Sequence, residues 1–325
     1  MALLLFLGVV AVLMAISAGP PPQPPLKVAM GPWLGYDPLV LQRERDALPS
    51  GLRLVELGSA TDVQTALRDG RVEAAAVTLD EALRLQRHLT DLRVVAVLSE
   101  SRGADGVLLR AGLDPTQGLR GRRVLVEDSA VGGLMLAAAL EAEGLQPGDV
   151  QATYLRVQHL ERRWADGAGD VLVAYEPLLS RQRAAGHTLL RSTRDLPGLV
   201  FDVLVARESA RAQRAPQLDA LLAAWSEALP AFEAPEQLPL QLLLPGTGLD
   251  ARNYRSALAG IDFFNLQRSQ VLLTGADPVL VELLPRMTAL LRARGELIDA
   301  PTVVGLFDPA PQRRLESLRS PERQP

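Results

Sequence analysis

Leu26-Lys27-Val28-Ala29-Met30-Gly31-Pro32-Trp33-Leu34-Gly35-Tyr36-Asp37-Pro38-Leu39 joins a short apolar run to an amphipathic one across a Gly/Pro turn. Lys27–Met30 reads as a strand that stops at Gly31-Pro32, and Pro38 sits where a helix running to Leu48 begins. A strand that feeds a helix is the repeating unit of an α/β sheet. The unit recurs down the chain: strand Leu52–Leu57, then a helix Thr61–Arg68 capped by Ser59 or Thr61 and closed by Gly70. Strand Glu73–Thr78, helix Asp80–His88 and strand Leu92–Ser99 follow.

A second series starts beyond Ser101. Gly106–Arg110 is a short strand, broken by Ala111-Gly112-Leu113-Asp114-Pro115. Strands Arg122–Glu127, Val150–Arg156, Asp170–Tyr175 and His187–Arg191 then alternate with helices Ser129–Glu143, Gln158–Asp166 and Pro177–Ala185. Leu199–Ala206 returns as a strand, the chain is mostly helical from there to Arg294, and the polar, proline-rich tail from Pro309 is expected to fray. The layout predicts two α/β lobes, each a sheet flanked by helices, with the second inserted in the first. Residues 27–105 and 202–325 form lobe 1 in this reading, and residues 106–201 lobe 2. Gly106–Arg110 and Leu199–Ala206 are expected as paired crossing strands, which would make a hinge beside a ligand cleft.

At 325 residues, 48% hydrophobic and 22% charged, the chain can bury two cores. A net charge of -4 with no basic run lacks the footprint of a nucleic-acid binder. The absence of cysteine removes disulfides, thiolate nucleophiles, Cys-based zinc sites and a lipid-attachment cysteine. Ala2–Ala18 is an apolar, charge-free run with small residues at its end, the form of a secretory signal. No Lys or Arg precedes it and Pro20 disfavours cleavage after Gly19, so an uncleaved membrane anchor stays open. Its length of about 17 helical residues at ~1.5 Å each approaches the bilayer core. Pro20, Pro21, Pro22, Pro24 and Pro25 form a stiff spacer, so residues 1–26 are an address and the folded body begins near Leu26.

Three segments of the first half carry a family resemblance: Gly31-Pro32-Trp33-Leu34-Gly35-Tyr36-Asp37-Pro38-Leu39, Val77-Thr78-Leu79-Asp80-Glu81 and Ser101-Arg102-Gly103-Ala104-Asp105. Gly121–Glu127, Ala174-Tyr175-Glu176-Pro177 and Pro197–Val205 continue it in order. Together they resemble the nitrate/sulfonate/taurine-type periplasmic binding proteins of ABC transporters over about residues 27 to 310. The resemblance implies a type II two-lobed binding fold, lobes that close on a small-molecule ligand, delivery to an ABC transporter permease, and no cofactor. The related enzymes that make a thiamine pyrimidine on this fold use cysteine-rich motifs, which this chain lacks. Two further readings stay open: a ligand-sensing partner of a membrane receptor, and an isomerase or lyase on the same fold.

Trp33 and Tyr36 follow the first strand, at the carboxyl end where ligands of open α/β sheets gather, and can stack on a planar or cationic ligand. Trp33 can equally plug the core beneath its turn. Thr78, Asp80 and Glu81 follow the third predicted strand, and helix capping alone accounts for one of them. Glu127 and Ser129 end a strand and open a helix whose N–H groups can hold an anion. Ser101 and Asp105 flank a glycine that permits close backbone approach. Glu176 sits between a strand and a helix. Asp202, inside an apolar strand, needs a partner: either a hinge hydrogen bond or the ligand. The acids outnumber Arg102, the one base beside the expected cleft, which favours a ligand bearing amine or ring N–H groups over a sulfonate.

His88, His159 and His187 have no metal-ligand spacing, and are expected at the surface. No nucleophile elbow or phosphate-binding loop is present, and Gly246-Thr247-Gly248 reads as a turn.

Overall fold

A computed structural model describes residues 23–274, 278–293, 295 and 305–319. The apolar start and its proposed roles as signal or anchor lie outside the described residues. Eleven strands are described: β1 (Leu26–Met30), β2 (Leu52–Glu56), β3 (Ala74–Thr78), β4 (Arg93–Ser101), β5 (Asp105–Leu109), β6 (Arg123–Glu127), β7 (Gln151–Leu155), β8 (Val171–Tyr175), β9 (Thr188–Ser192), β10 (Phe201–Ala206) and β11 (Ile261–Phe263). They form two sheets, ordered β11-β4-β10-β3-β1-β2 and β7-β6-β8-β5-β9.

In the first sheet β1 pairs in parallel with β2 and β3, while β10 lies antiparallel between β3 and β4. In the second, β6 is parallel to β7 and β8, and β5 lies antiparallel between β8 and β9. The two sheets thus share one plan: a parallel trio joined to an antiparallel strand. Sequence explains which strands are central. Ala74–Thr78 and Phe201–Ala206 are buried at every position, the mark of strands covered on both faces. Gln151–Leu155 is mostly exposed and stands at an edge.

The chain passes from β4 to β5 through Arg102–Ala104 and returns from β9 to β10 through 193–200. The two crossings are tied together. Ser101 N donates to Val200 O at 2.9 Å, Gly103 N donates to Thr193 Oγ1 at 2.8 Å, and the Ser101 and Thr193 hydroxyls are 2.8 Å apart. Gly103 has φ 134°, a left-handed value that a side chain would strain, so the glycine is a condition of this crossing. Up to Leu140 the helix Ala130–Ala142 has no charged face and is largely buried, and Glu141 lies exposed at its end. The helix packs on β5, β6 and β8 and also touches the helices Leu79–Leu85 and Pro278–Ala293 of the first-sheet side.

Two expectations need correction. Gly106–Arg110 and Leu199–Ala206 do not pair: β5 and β10 each occupy an interior slot of a different sheet, and full burial of both strands is what interior slots supply. The region after Ala206 is mostly helical, as expected, with Ile261–Phe263 adding a short edge strand to β4. Three residues are too few for a period-2 signal. The tail does not fray at once, since Ala310–Arg319 is a helix against β4 and the helix Ala215–Glu233. Gln312, fully buried there, donates to Val95 O at 2.9 Å and Ser269 Oγ at 2.8 Å.

Candidate functional site

The carboxyl ends of β1 and β3 in one sheet and of β6 and β8 in the other point at one cavity of about 530 Å³, counted out to its open mouth. Strand β1 leads into Gly31, Pro32, Trp33 and Tyr36; β3 ends at Thr78 and is followed by Glu81; β6 ends at Glu127 with Ser129 beyond it; β8 ends at Tyr175. The antiparallel strands enter from the opposite direction and so bring their first residues to the same place. Asp202 pairs with Thr78 across β10 and β3, and Asp105 with Tyr175 across β5 and β8. Ala60, Val63, Ala76, Val131 and Val200 supply the apolar wall.

Asp202 organises the first-sheet wall. Its carboxylate accepts hydrogen bonds from Ser99 Oγ at 2.6 Å, Trp33 Nε1 at 2.9 Å and Tyr36 OH at 3.2 Å. Burial pushes its pKa up to about 6, and the Ser99, Trp33 and Tyr36 bonds act in the opposite direction. Tyr36 is held far above the usual tyrosine range by burial and by the Asp202 charge.

Glu127 organises the second wall, accepting from Ser129 Oγ at 3.2 Å and Tyr175 OH at 3.4 Å. Burial raises it to about 7. Ser129 Oγ also accepts from Gly132 N at 3.1 Å, so it caps the helix Ala130–Ala142 as well. The walls meet where the Trp33 and Tyr175 rings stand edge to face, 5.7 Å between centroids.

Two more carboxyls complete the lining. Glu81 accepts from Thr78 N and from Gln64 Nε2, both at 3.1 Å, and burial followed by the Asp80 charge raises it to about 8. Asp105, 4% exposed, is raised to about 8 by burial, with Asp202, Glu127 and Glu176 adding to the shift. Its Oδ2 has no hydrogen-bond partner, and neither does Thr78 Oγ1. Carboxyls with such values stay largely protonated near neutrality while the cavity is empty. They can then give or take a proton when a charged molecule enters.

Of the residues singled out from sequence, Trp33, Tyr36, Thr78, Asp105, Glu127, Ser129 and Asp202 converge on the cavity. Asp80, Ser101 and Glu176 do not line it. Asp80 and Ser101 are fully buried behind it. Glu176 is spent on Ser180, accepting from its N at 2.9 Å and its Oγ at 2.8 Å. Arg102 faces outward, half exposed, toward Glu100 and Asp262. Glu81, weighed with Thr78 and Asp80 as a possible cap, lines the cavity, and so does Tyr175, which was not chosen. The signal for Tyr175 was present in its place as the last residue of a buried strand, the position that also marks Thr78 and Glu127. His88 and His159 are exposed, while His187 is half-buried against Trp164 and accepts from Ala111 N at 3.0 Å. Among the described residues no cluster could hold a metal ion.

Two sheets of matched topology, two tied crossings and a cavity where their strand ends meet define the two-lobed fold of periplasmic solute-binding proteins. Solved structures share it over nearly their whole length. The periplasmic aliphatic sulphonate binding protein SsuA from Escherichia coli superposes with a TM-score of 0.71 at 20% identity, covering 88% of this chain and 98% of that one. The ligand binding component of an ABC-type import system from Staphylococcus aureus, with zinc bound, gives 0.73 at 14%, covering 90% and 99%. The desulfurization enzyme DSZB gives 0.66 at 15%, covering 92% and 100%, so the same fold also carries catalysis. No protein-family model and no curated protein matches the chain in sequence.

Proposed function

We propose that this protein is the extracytoplasmic solute-binding component of an ABC-type importer, which holds a small organic molecule between its lobes and hands it to a membrane permease. The observation that carries the reading is the cavity itself. Both sheets furnish its walls, and Trp33 from one side meets Tyr175 from the other. A ligand that touches both walls favours the closed arrangement by its differential affinity. Residues 27–105 and 202–325 make up lobe 1 and residues 106–201 lobe 2 in this reading. Residues 1–26 direct the chain out of the cytoplasm, by a cleaved signal or a retained anchor. Among the described residues no helix is long and apolar enough to cross a membrane.

The protein acts by binding, without a cofactor and without turning its ligand over. Native mass spectrometry of the full chain purified from its host is the direct test. A retained small molecule, released unchanged after prolonged incubation, is the expected result. Chemical conversion of that molecule by the protein would replace this reading with the enzyme that the likeness to DSZB admits.

A further inference from the structure

We propose that the cavity selects a small organic cation, an ammonium or protonated ring nitrogen on an apolar body, in place of the sulfonates named for several proteins of this fold. The inference rests on the solute-binding reading and specifies its ligand. Four carboxyls line the cavity: Glu81, Asp105, Glu127 and Asp202. No lysine, arginine or histidine is among the lining residues described. An anion would therefore enter a site with no positive side chain to meet it.

The hydrogen-bonding inventory leads to the same place. A bound sulfonate needs donors for its oxygens. The donors of this wall are already turned onto carboxylates: Trp33 Nε1 and Tyr36 OH onto Asp202, Tyr175 OH and Ser129 Oγ onto Glu127. What the cavity leaves open is a carboxyl oxygen, an acceptor once its group is ionised. Asp105 Oδ2 is buried without a partner, and so is Thr78 Oγ1 on the first-sheet wall of the cavity. A buried acceptor left unpaired carries its full desolvation cost until an N–H reaches it. The rings of Trp33, Tyr36 and Tyr175 add faces and edges suited to a cation with an apolar body.

The surrounding charges work in the same sense. Asp80 and Glu127 act on Glu81, with Arg84 a weaker opposing charge, and Asp202, Glu127 and Glu176 act on Asp105. Tyr36 and Tyr175 stay protonated and neutral, so the negative charge available to a ligand resides on the carboxyls. A ligand cation relieves this mutual repulsion, and its arrival drives protons off the cluster. Affinity for a cation accordingly rises with pH, and binding releases protons to the buffer.

The test compares probes of equal length and opposite charge on the full wild-type chain: n-butylammonium and choline against butanesulfonate, read by thermal shift and calorimetry. The cations are expected to raise Tm and the sulfonate to leave it unchanged. Butylammonium affinity is expected to rise by about tenfold or more between about pH 5 and pH 8, with proton release measured in buffers of different ionisation enthalpy. Asp105→Asn and, separately, Glu127→Gln should weaken butylammonium by about tenfold or more while the folded fraction persists. A shift with butanesulfonate alone overturns the proposal and leaves the solute-binding reading intact. No shift with any probe overturns it too, and a small molecule retained in the native mass spectrum then shows that the solute-binding reading outlives it.

Discussion

Asp202 is where one side chain does most to shape the site. Its three donors come from two separate segments: Ser99 in β4, and Trp33 and Tyr36 in the turn after β1. An apolar central strand tolerates a carboxylate only because all three point at it. Asp202→Asn keeps the shape but places an amide N–H₂ against hydroxyl and indole donors, so at least one donor loses its acceptor. A loss of about 1–3 kcal/mol in urea unfolding is expected, together with a changed Trp33 environment in fluorescence. An unchanged unfolding midpoint would show that the triad of donors is not what holds the turn. The neighbouring carboxyls make a second prediction, for the ligand-free chain. Glu81 and Asp105, raised to about 8, and Glu127, raised to about 7, hold protons in the fold that the unfolded chain gives up near pH 4. Their contribution is complete below pH 4 and is lost as pH climbs through their folded values. While one such group stays protonated only in the fold, each pH unit removes about 1.4 kcal/mol. Tm should therefore fall between about pH 5 and pH 8, and a rise over that range would contradict the raised values.

At the scale of elements, the alternation of apolar runs with amphipathic ones identified β1 to β10 because each is bounded by glycine, proline or a cap. Strand ends also marked the site. Thr78, Glu127 and the Trp33 turn stand out as polar or aromatic groups just after buried runs, and the cavity is built from those ends. What stayed hidden depends on rotation and packing. Asp80 and Glu81 are adjacent on one helix, so only the way that helix lies on β3 and β10 decides that Glu81 faces the cavity. Ser101 is consumed by Thr193, distant in sequence and brought to it by the second crossing, and Glu176 by Ser180 one helical turn on. The final helix was hidden for a related reason: the polar segment Ala310–Arg319 is stabilised by a few buried contacts and not by an apolar stripe. Gln312 is central to them, bridging Val95 O and Ser269 Oγ, the latter also accepting from Val97 N at 2.7 Å. Gln312→Ala leaves buried acceptors short of a donor and should cost about 1–3 kcal/mol. Chemical denaturation checks it, and a change within experimental error would mean that the helix is held by Leu315 and the Arg314 to Asp219 pair instead.

Across the whole molecule, the two sheets are covalently joined only by the crossings after β4 and after β9, so the closed arrangement depends on contacts between the walls. The polar ones are few. Thr61 Oγ1, left free because Ser59 caps the helix Ala60–Arg68, donates to Asp128 O at 3.1 Å. On the opposite lip Arg181, in the helix Leu178–Ala184 on the second sheet, donates from Nη1 to Thr247 O at 2.7 Å. Thr247 belongs to the turn after the helix Leu240–Leu243, which packs on the helix Asp37–Glu44 beside Trp33. Arg181 also pairs with Glu161, but that partner is on its own side and half exposed, and such a pair adds little. The Thr247 bond joins the two walls, so on the proposed binding reading it weights the closed state without contributing to either sheet alone. A hydrogen bond of this kind is worth about 0.5–1.5 kcal/mol net. Removing it by Arg181→Ala lowers the closed fraction, and apparent affinity falls with that fraction, by up to about tenfold. Unfolding of the ligand-free chain should change by less than the affinity does. Small-angle scattering should show a larger radius of gyration for the ligand-free variant than for wild type, with the difference vanishing at saturating ligand. Thr61→Val, on the other lip, should act in the same direction. If both variants bind as tightly as wild type with unchanged scattering, the lips do not hold the cleft shut, and closure depends on the ligand and the Trp33 to Tyr175 contact alone.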